Sequence, residues 1–332
     1  MKVLVTGATG FLGRQLVEQL VARGDDVTGL VWPAAACPSL QGLSARLLVG
    51  DIRDLDAVTK AVQGQDVVFH CAGKVDDWGP RDEYYTVNVD GTRTMLEASR
   101  AAGVKHFIHI SSLVVVGLPK KNPIDETAPY TNNPASFYME TKLVSEKMVL
   151  EYGTIHGLAV TVIRPGILWG PGDTTMLPRM ERLAKRRLLV PIGGGGNTLC
   201  LTHVANLVDA VLLAAQSEKA HGQVYHITDT ERVSSGQYFR GLASSIGFRQ
   251  PPISIPYPVV YAAAFFLELG AAVLRAAGIA VPPLLTRYGI TLWSCTMIAP
   301  PTKAQQQLGY RQQVFFKEGM KNLAAWYAHK KR

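Results

Sequence analysis

The chain has 332 residues, 47% of them hydrophobic, with four cysteines and a formal net charge of +8. That length permits one large domain or two unequal ones around a well-buried core, and no internal repeat or long low-complexity stretch marks a solenoid or a disordered scaffold. Cys37, Cys71, Cys200 and Cys295 form no C-x-x-C pair, so neither a zinc site nor a disulfide framework is expected, and no metal.

The N-terminal "MKVLVTGATG" reaches glycine too early for a secretory signal, and a reducing cytoplasm is the expected compartment. "KVLVT" is a short apolar β-run. "GATGFLG" follows, and then "RQLVEQLVARG" with Leu16, Leu20 and Val21 at helical spacing. The order is strand, glycine turn, helix, with Gly7, Gly10 and Gly13 spaced G-x-x-G-x-x-G. That arrangement suits a dinucleotide, because glycine allows a tight turn and lets backbone N–H groups approach a pyrophosphate at the helix N-terminus. "DVTGLV" and "ARLLVG" read as the second and third strands, the latter running into Asp51 of "DIRD". "DVVFH", "HFIHI" and "AVTVI" read as the fourth to sixth, ending in "CAG", "SS" and "RPG". Strands alternating with helices predict a Rossmann-type α/β fold, a doubly wound parallel sheet with helices on both faces. Gly7, Asp51, Ala72, Ser112 and Pro165 then fall at the carboxyl ends of strands, where such sheets bind ligands. Residues 1–170 are expected to form the dinucleotide domain, joined by a later segment near 199–228. Residues 171–332 are expected to form a smaller, mostly helical substrate part, apolar and basic.

"FYMETK" puts Tyr138 and Lys142 four residues apart, on one face of a helix. Alone, that spacing fits a solvated helical face. With "TGATGFLG", "GDIRD", "NVDGT", "HISS", "YMETK" and "RPGILWGPGD" in this order, the chain resembles the extended short-chain dehydrogenases/reductases over about half its length. "LTHVANLVDA", "PPLLTRYGI" and "LGYRQQVFFKEGM" resemble, more diffusely, the 3β-hydroxysteroid dehydrogenase branch, in which the sterol-4α-carboxylate 3-dehydrogenases fall. The resemblance implies that Tyr138 is the catalytic acid/base. A free phenol titrates at about 10, so phenolate needs a nearby positive charge. Lys142 is implied to supply it and to bind the nicotinamide ribose. Ser112, rather than Ser111, is implied to hold the substrate oxygen. Asn88 is either a structural or relay residue near the site, as the family implies, or a surface polar group. The implied cofactor contacts are Gly7, Thr9, Gly10, Phe11, Leu12, Gly13, Arg14, Trp32, Asp51, Ile52, Ala72, Tyr138, Lys142, Pro165 and Ile167. Helices near 84–102 and 136–153 pair with their copies in relatives, which implies a homodimer. His70, His109 and His203 lack the spacing of a shared metal site and read as packed histidines.

The end of the second strand separates NAD from NADP sites by an acidic residue or an arginine. Here "GLVWPAAAC" carries Trp32, which either packs on adenine or fills a loop. Arg14 is the base expected near the adenosine side. One arginine is thin support for a phosphate dianion, so NAD is favoured over NADP. Ile167 stands three residues after Arg164, where nucleotide-sugar enzymes commonly carry Asn, and it disfavours an epimerase or dehydratase of that class. The loop "GKVDDWGPRDEYY" presents Lys74 and Trp78 to the substrate.

From 251 to 332, nine Lys/Arg face two Glu, an excess of seven positive charges. No base-reading motif accompanies them, so nucleic acid is not an expected partner. "PYPVVYAAAFFLELGAAVLRAAGIAVPPLL" is almost wholly apolar, and reads either as a buried helix of the small part or as a lipid-facing helix. Its 16-residue run "VVYAAAFFLELGAAVL" falls short of a membrane span. The lipid-facing reading implies peripheral contact at the inner face of a membrane. The expected activity interconverts a 3-hydroxyl and a 3-ketone on a sterol-like or long-chain lipid. A 2-alkyl-3-oxoalkanoate reductase, a nucleotide-sugar epimerase or dehydratase and a dinucleotide-sensing protein without turnover are the alternatives.

Overall fold

The computed structural model describes residues 1–33, 40–118 and 122–330, so Cys37, Lys331 and Arg332 lie outside the described residues. The six strands expected from the sequence are present: β1 (Lys2–Thr6), β2 (Asp26–Val31), β3 (Ala45–Val49), β4 (Val67–His70), β5 (His106–Ile110) and β6 (Val160–Pro165). Three short pieces follow, β7 (Ile167–Trp169), β8 (Thr198–Leu199) and β9 (Leu201–His203). Then come β10 (Gln223–Ile227) and β11 (Val233–Ser234). The helices of the first part are α1 (Phe11–Ala22), α2 (Leu55–Val62), α3 (Arg81–Tyr84), α4 (Gly91–Ala101) and α5 (Phe137–His156). The later ones are α6 (Leu177–Lys185), α7 (Val204–Ala215), α8 (Ser235–Ser245), α9 (Tyr257–Ala276), α10 (Arg287–Ser294), α11 (Thr302–Leu308) and α12 (Phe316–Lys330).

Among the described residues, seven strands make one sheet in the order β10-β6-β5-β4-β1-β2-β3, parallel throughout. β4, β5 and β6 are buried at every position, as near-continuous apolar runs are when helices cover both faces. α1 and α7 pack on one face through Leu16, Leu20, Val208 and Val211. α2, α4 and α5 pack on the other through Val58, Met95, Leu96 and Val149. The strand order reverses between β1 and β4, which opens a crevice at their carboxyl ends, the position where doubly wound sheets bind ligands. Residues 204–227 return to this first part, with α7 on α1 and β10 beside β6.

The later helices form a second core around Trp169, Met180, Tyr238, Trp293 and Met320. α9 does not belong to it. Only Val260, Ala264 and Ala271 of that helix are buried, while Val259, Phe266, Leu269 and Val273 are exposed. The buried-helix reading is therefore overturned. The length expectation is corrected as well: α9 has 20 residues and is long and apolar enough, by length and composition, to cross a membrane. Pro258 sits in its first turn, where the missing N–H costs nothing, so the helix starts ahead of the apolar run. Glu268 is tolerated within it because Arg287 of α10 pairs with it at 2.6 Å.

Candidate active site

Three glycines shape the turn from β1 into α1. Gly7 has φ +64°, and a Cβ there would lie 2.9 Å from the Cα and N of Ala72. A Cβ on Gly13 would lie 2.1 Å from the Gly7 carbonyl oxygen. The Gly10 N–H donates to the Gly7 carbonyl at 2.9 Å, and α1 begins with no side chain capping its first turn. Those N–H groups are left for an anion. Phe11 and Leu12 turn into the core, so they present backbone rather than side chain to the crevice, and Thr9 is half-buried beside them. The arrangement fits a dinucleotide.

The Arg14 guanidinium lies by Glu18, at 3.4 Å, and 3.3 Å from where a Cβ on Gly172 would stand. The base found beside Trp32 is Arg53, whose guanidinium sits 5.2 Å from the indole centroid. Asp51 holds that guanidinium at 2.6 and 2.8 Å. Ile52 is buried against Gly91, Ala72 donates its N–H to Thr6 Oγ1 at 3.1 Å, and Pro165 is buried at the end of β6. Ile167 packs toward the second core instead of facing the crevice alone.

Tyr138 and Lys142 stand one turn apart on α5, which Ser136 caps by accepting from the Met139 N–H at 3.2 Å. Ser112 follows β5 in extended conformation and opens a 3₁₀ turn, Leu113–Val116. Burial pushes the Tyr138 phenol above its ordinary pKa, and the Ser112 hydroxyl facing it pulls the other way. Lys142 is buried and donates from Nζ to the Ile110 carbonyl at 2.7 Å. Burial lowers its pKa to about 8, against the opposing pull of Cys71 and Glu146. Lys142 thus directs its ammonium to the end of β5, one helical turn from Tyr138.

Asn88 is not a surface group. It lies in a π-helical turn, Tyr85–Asp90, and is buried. Its Oδ1 accepts from the Lys74 N–H at 2.7 Å, and its Nδ2 donates to the Lys74 carbonyl and to Thr141 Oγ1, both at 3.0 Å. It therefore ties the loop after β4 to α5. Lys74 is not a free cation: Asp76 and Glu83 hold its ammonium, each at 3.1 Å. Trp78 is half-buried in the same loop. Between them, Asp77 accepts from Arg179 of α6 and from Thr286 before α10, both at 2.5 Å. The first turn of α10 also carries Tyr288, buried and close enough to Tyr138 and Asp77 that their charges add to the burial raising its phenol pKa. His70 bridges Thr6 and Thr92 at 2.9 and 3.0 Å, and His109 is buried beside Ser145. Among the described residues, no group of three His, Cys, Asp or Glu is placed to hold a metal ion.

A profile of the 3-beta hydroxysteroid dehydrogenase/isomerase family matches residues 4–257. The chain belongs to this family. It is 32% identical to 3beta-hydroxysteroid-dehydrogenase/decarboxylase isoform 1 of Arabidopsis thaliana, over 99% of this chain and 80% of that protein. It is 30% identical to a 2-alkyl-3-oxoalkanoate reductase of Shewanella oneidensis, over 97% and 85%. The crystal structure of gox2253 superposes with a TM-score of 0.82 at 27% identity, covering 100% of this chain and 99% of that one.

This family member also carries a buried ion pair that sequence reading missed. Glu146 accepts from Arg164 Nε and Nη2 at 2.9 and 2.5 Å, from the Tyr130 hydroxyl at 2.9 Å, and from the Ser111 hydroxyl. The signal was present: Glu146 follows Lys142 by four residues, as Lys142 follows Tyr138, so all three share one helical face. Through it α5 is locked to the ends of β5 and β6, which carry Ser111–Ser112 and Arg164–Pro165.

Proposed function

We propose that the protein interconverts a 3-hydroxyl and a 3-ketone on a sterol-like or long-chain lipid, using NAD(P). The observation that carries this is the convergence of Ser112, Tyr138 and Lys142 at the sheet edge beside the Gly7–Gly13 cradle. The bound dinucleotide would accept or supply the hydride. The first-turn N–H groups of α1 hold its pyrophosphate, and Lys142 reaches its ribose. Tyr138 gives its phenolic proton to the carbonyl oxygen in reduction and takes it back from the hydroxyl in oxidation. Ser112 donates to that oxygen and fixes its distance from Tyr138. Asp51 neutralises Arg53 beside Trp32, which disfavours a 2′-phosphate there and supports NAD.

Two substrate classes fit: a 3β-hydroxysteroid, including sterol 4α-carboxylates, and a 2-alkyl-3-oxoalkanoate. The exposed α9 supports an apolar substrate and peripheral contact with a membrane from the cytoplasmic side. It lies on that surface rather than spanning it, because Glu268 and Tyr257 hold it to α10. A homodimer through the α4–α5 face completes the reading. The test is turnover of a 3β-hydroxysteroid, a sterol 4α-carboxylate, a 2-alkyl-3-oxoalkanoate and UDP-glucose with both cofactors. Tyr138→Phe serves as control, with an expected loss of at least ~10²-fold. Turnover of UDP-glucose alone, or a Tyr138→Phe variant as fast as the wild type, sinks the proposal.

A further inference from the structure

We infer that the basic turn Arg182–Leu188, at the end of α6, binds anionic lipid headgroups and forms one membrane-docking surface with α9. The inference rests on the peripheral-membrane reading of α9 and adds the determinant that selects the lipid. Arg182, Lys185, Arg186 and Arg187 are all exposed, as is Leu188. Lys185 pairs with Glu181 at 2.7 Å; among the described residues no carboxylate lies within ion-pair distance of the three arginines.

The backbone gives an independent sign. Among the described residues, every positive φ belongs to a glycine except that of Arg187, at φ 58°. α6 ends in a left-handed turn, with Arg187 N–H on the Ala184 carbonyl at 3.0 Å and Leu188 N–H on the Leu183 carbonyl at 2.8 Å. The equivalent positions after α5 and α11 are Gly157 and Gly309, the residue this geometry favours. An arginine here is strained, because a side chain beyond glycine disfavours this backbone.

The turn also has the right neighbour. The chain runs from Leu188 to Ile192, which bridges Ile255 just ahead of α9 and packs on Val260 and Ala264. Pro191 accepts from the Ile255 N–H at 3.1 Å, and the Gly193 N–H donates back to Ile255 at 2.9 Å. At this junction Ile253, Val259 and Leu188 are exposed at 57%, 58% and 46%. Cations beside an inserted apolar face complement an anionic leaflet, where phosphates lie just above the acyl boundary. A second copy on this face would bring the basic turn toward its own like charge.

The test is flotation of the full chain with phosphatidylcholine vesicles, with and without phosphatidylserine. Arg187→Gly should raise Tm by about 2 °C, because glycine relieves the left-handed backbone. The same change should lower partition onto the anionic vesicles about fivefold, roughly the contribution of one basic residue near such a leaflet. Opposite signs of the two effects cannot come from misfolding. Combining it with Arg182→Gln and Arg186→Gln should lower partition on the order of a hundredfold, with binding to neutral vesicles unchanged. Full anionic binding by the triple variant overturns the inference, as does equal wild-type binding to both vesicles. A loss that follows removal of residues 330–332 rather than the turn substitutions overturns it too. A wild type that never floats removes the membrane reading as well; the oxidoreductase reading, measured by turnover in detergent, stands or falls apart from it.

Discussion

At the residue scale, the protonation of Lys142 is the sensitive quantity. Its folded pKa is about 8, depressed by burial from an ordinary value near 10.5. Below about pH 8 the folded protein holds a buried charge, and above it the amine is neutral. Between about 8 and 10.5 the unfolded chain binds the extra proton, so this group's contribution to stability rises with pH across that window. Lys142→Met should therefore stabilise the dinucleotide-free protein at neutral pH by up to about 3 kcal/mol, less the lost hydrogen bond to Ile110, while removing turnover. Dinucleotide affinity should weaken as pH rises through about 8, because the ammonium donor is lost. A dissociation constant that stays flat across that range contradicts the assignment. Tyr138, Lys142 and Ser112 were singled out by the resemblance, and helical spacing and the end of β5 place them in the fold. The duties of Asn88 and Lys74 were not legible in the sequence. They depend on Thr141, Asp76 and Glu83, which only the folded loop brings within reach.

At the scale of elements, α5 is the member on which the site is mounted. Glu146→Gln keeps its size but leaves Arg164 buried without a counter-charge, which costs about 3–5 kcal/mol. Urea unfolding should show that loss, with turnover falling as Ser111 and the Ser112 turn come free. Stability within about 0.5 kcal/mol of wild type would mean the pair is not a lock. Six strands could be read from their apolar runs. β10 was foreseen only as a returning segment, because its place beside β6 is fixed by pairing across the intervening residues 166–222. The length of α9 was underestimated for a local reason: the apolar run counted was residues 259–274, whereas the helix extends past it at both ends, its first turn tolerating Pro258.

At the scale of the whole molecule, α5, which packs beside α4, leaves Phe137 and Ile155 exposed, the latter at 64%. We expect these helices to pair with a second copy, giving twice 36.1 kDa by light scattering at micromolar concentration, and Ile155→Glu to shift it toward monomer. A monomeric wild type across that range rejects the pairing. The return of residues 204–227 to the first part has a consequence for how the chain is made. During synthesis, β6 emerges with one edge bare, and α1 lies on the sheet without its neighbour α7. The ribosome must extrude about 60 further residues before β10 closes that edge. The nascent N-terminal part therefore passes through a stage in which the outer edge of β6 is an unpaired row of backbone donors and acceptors, a template for another strand until β10 occupies it.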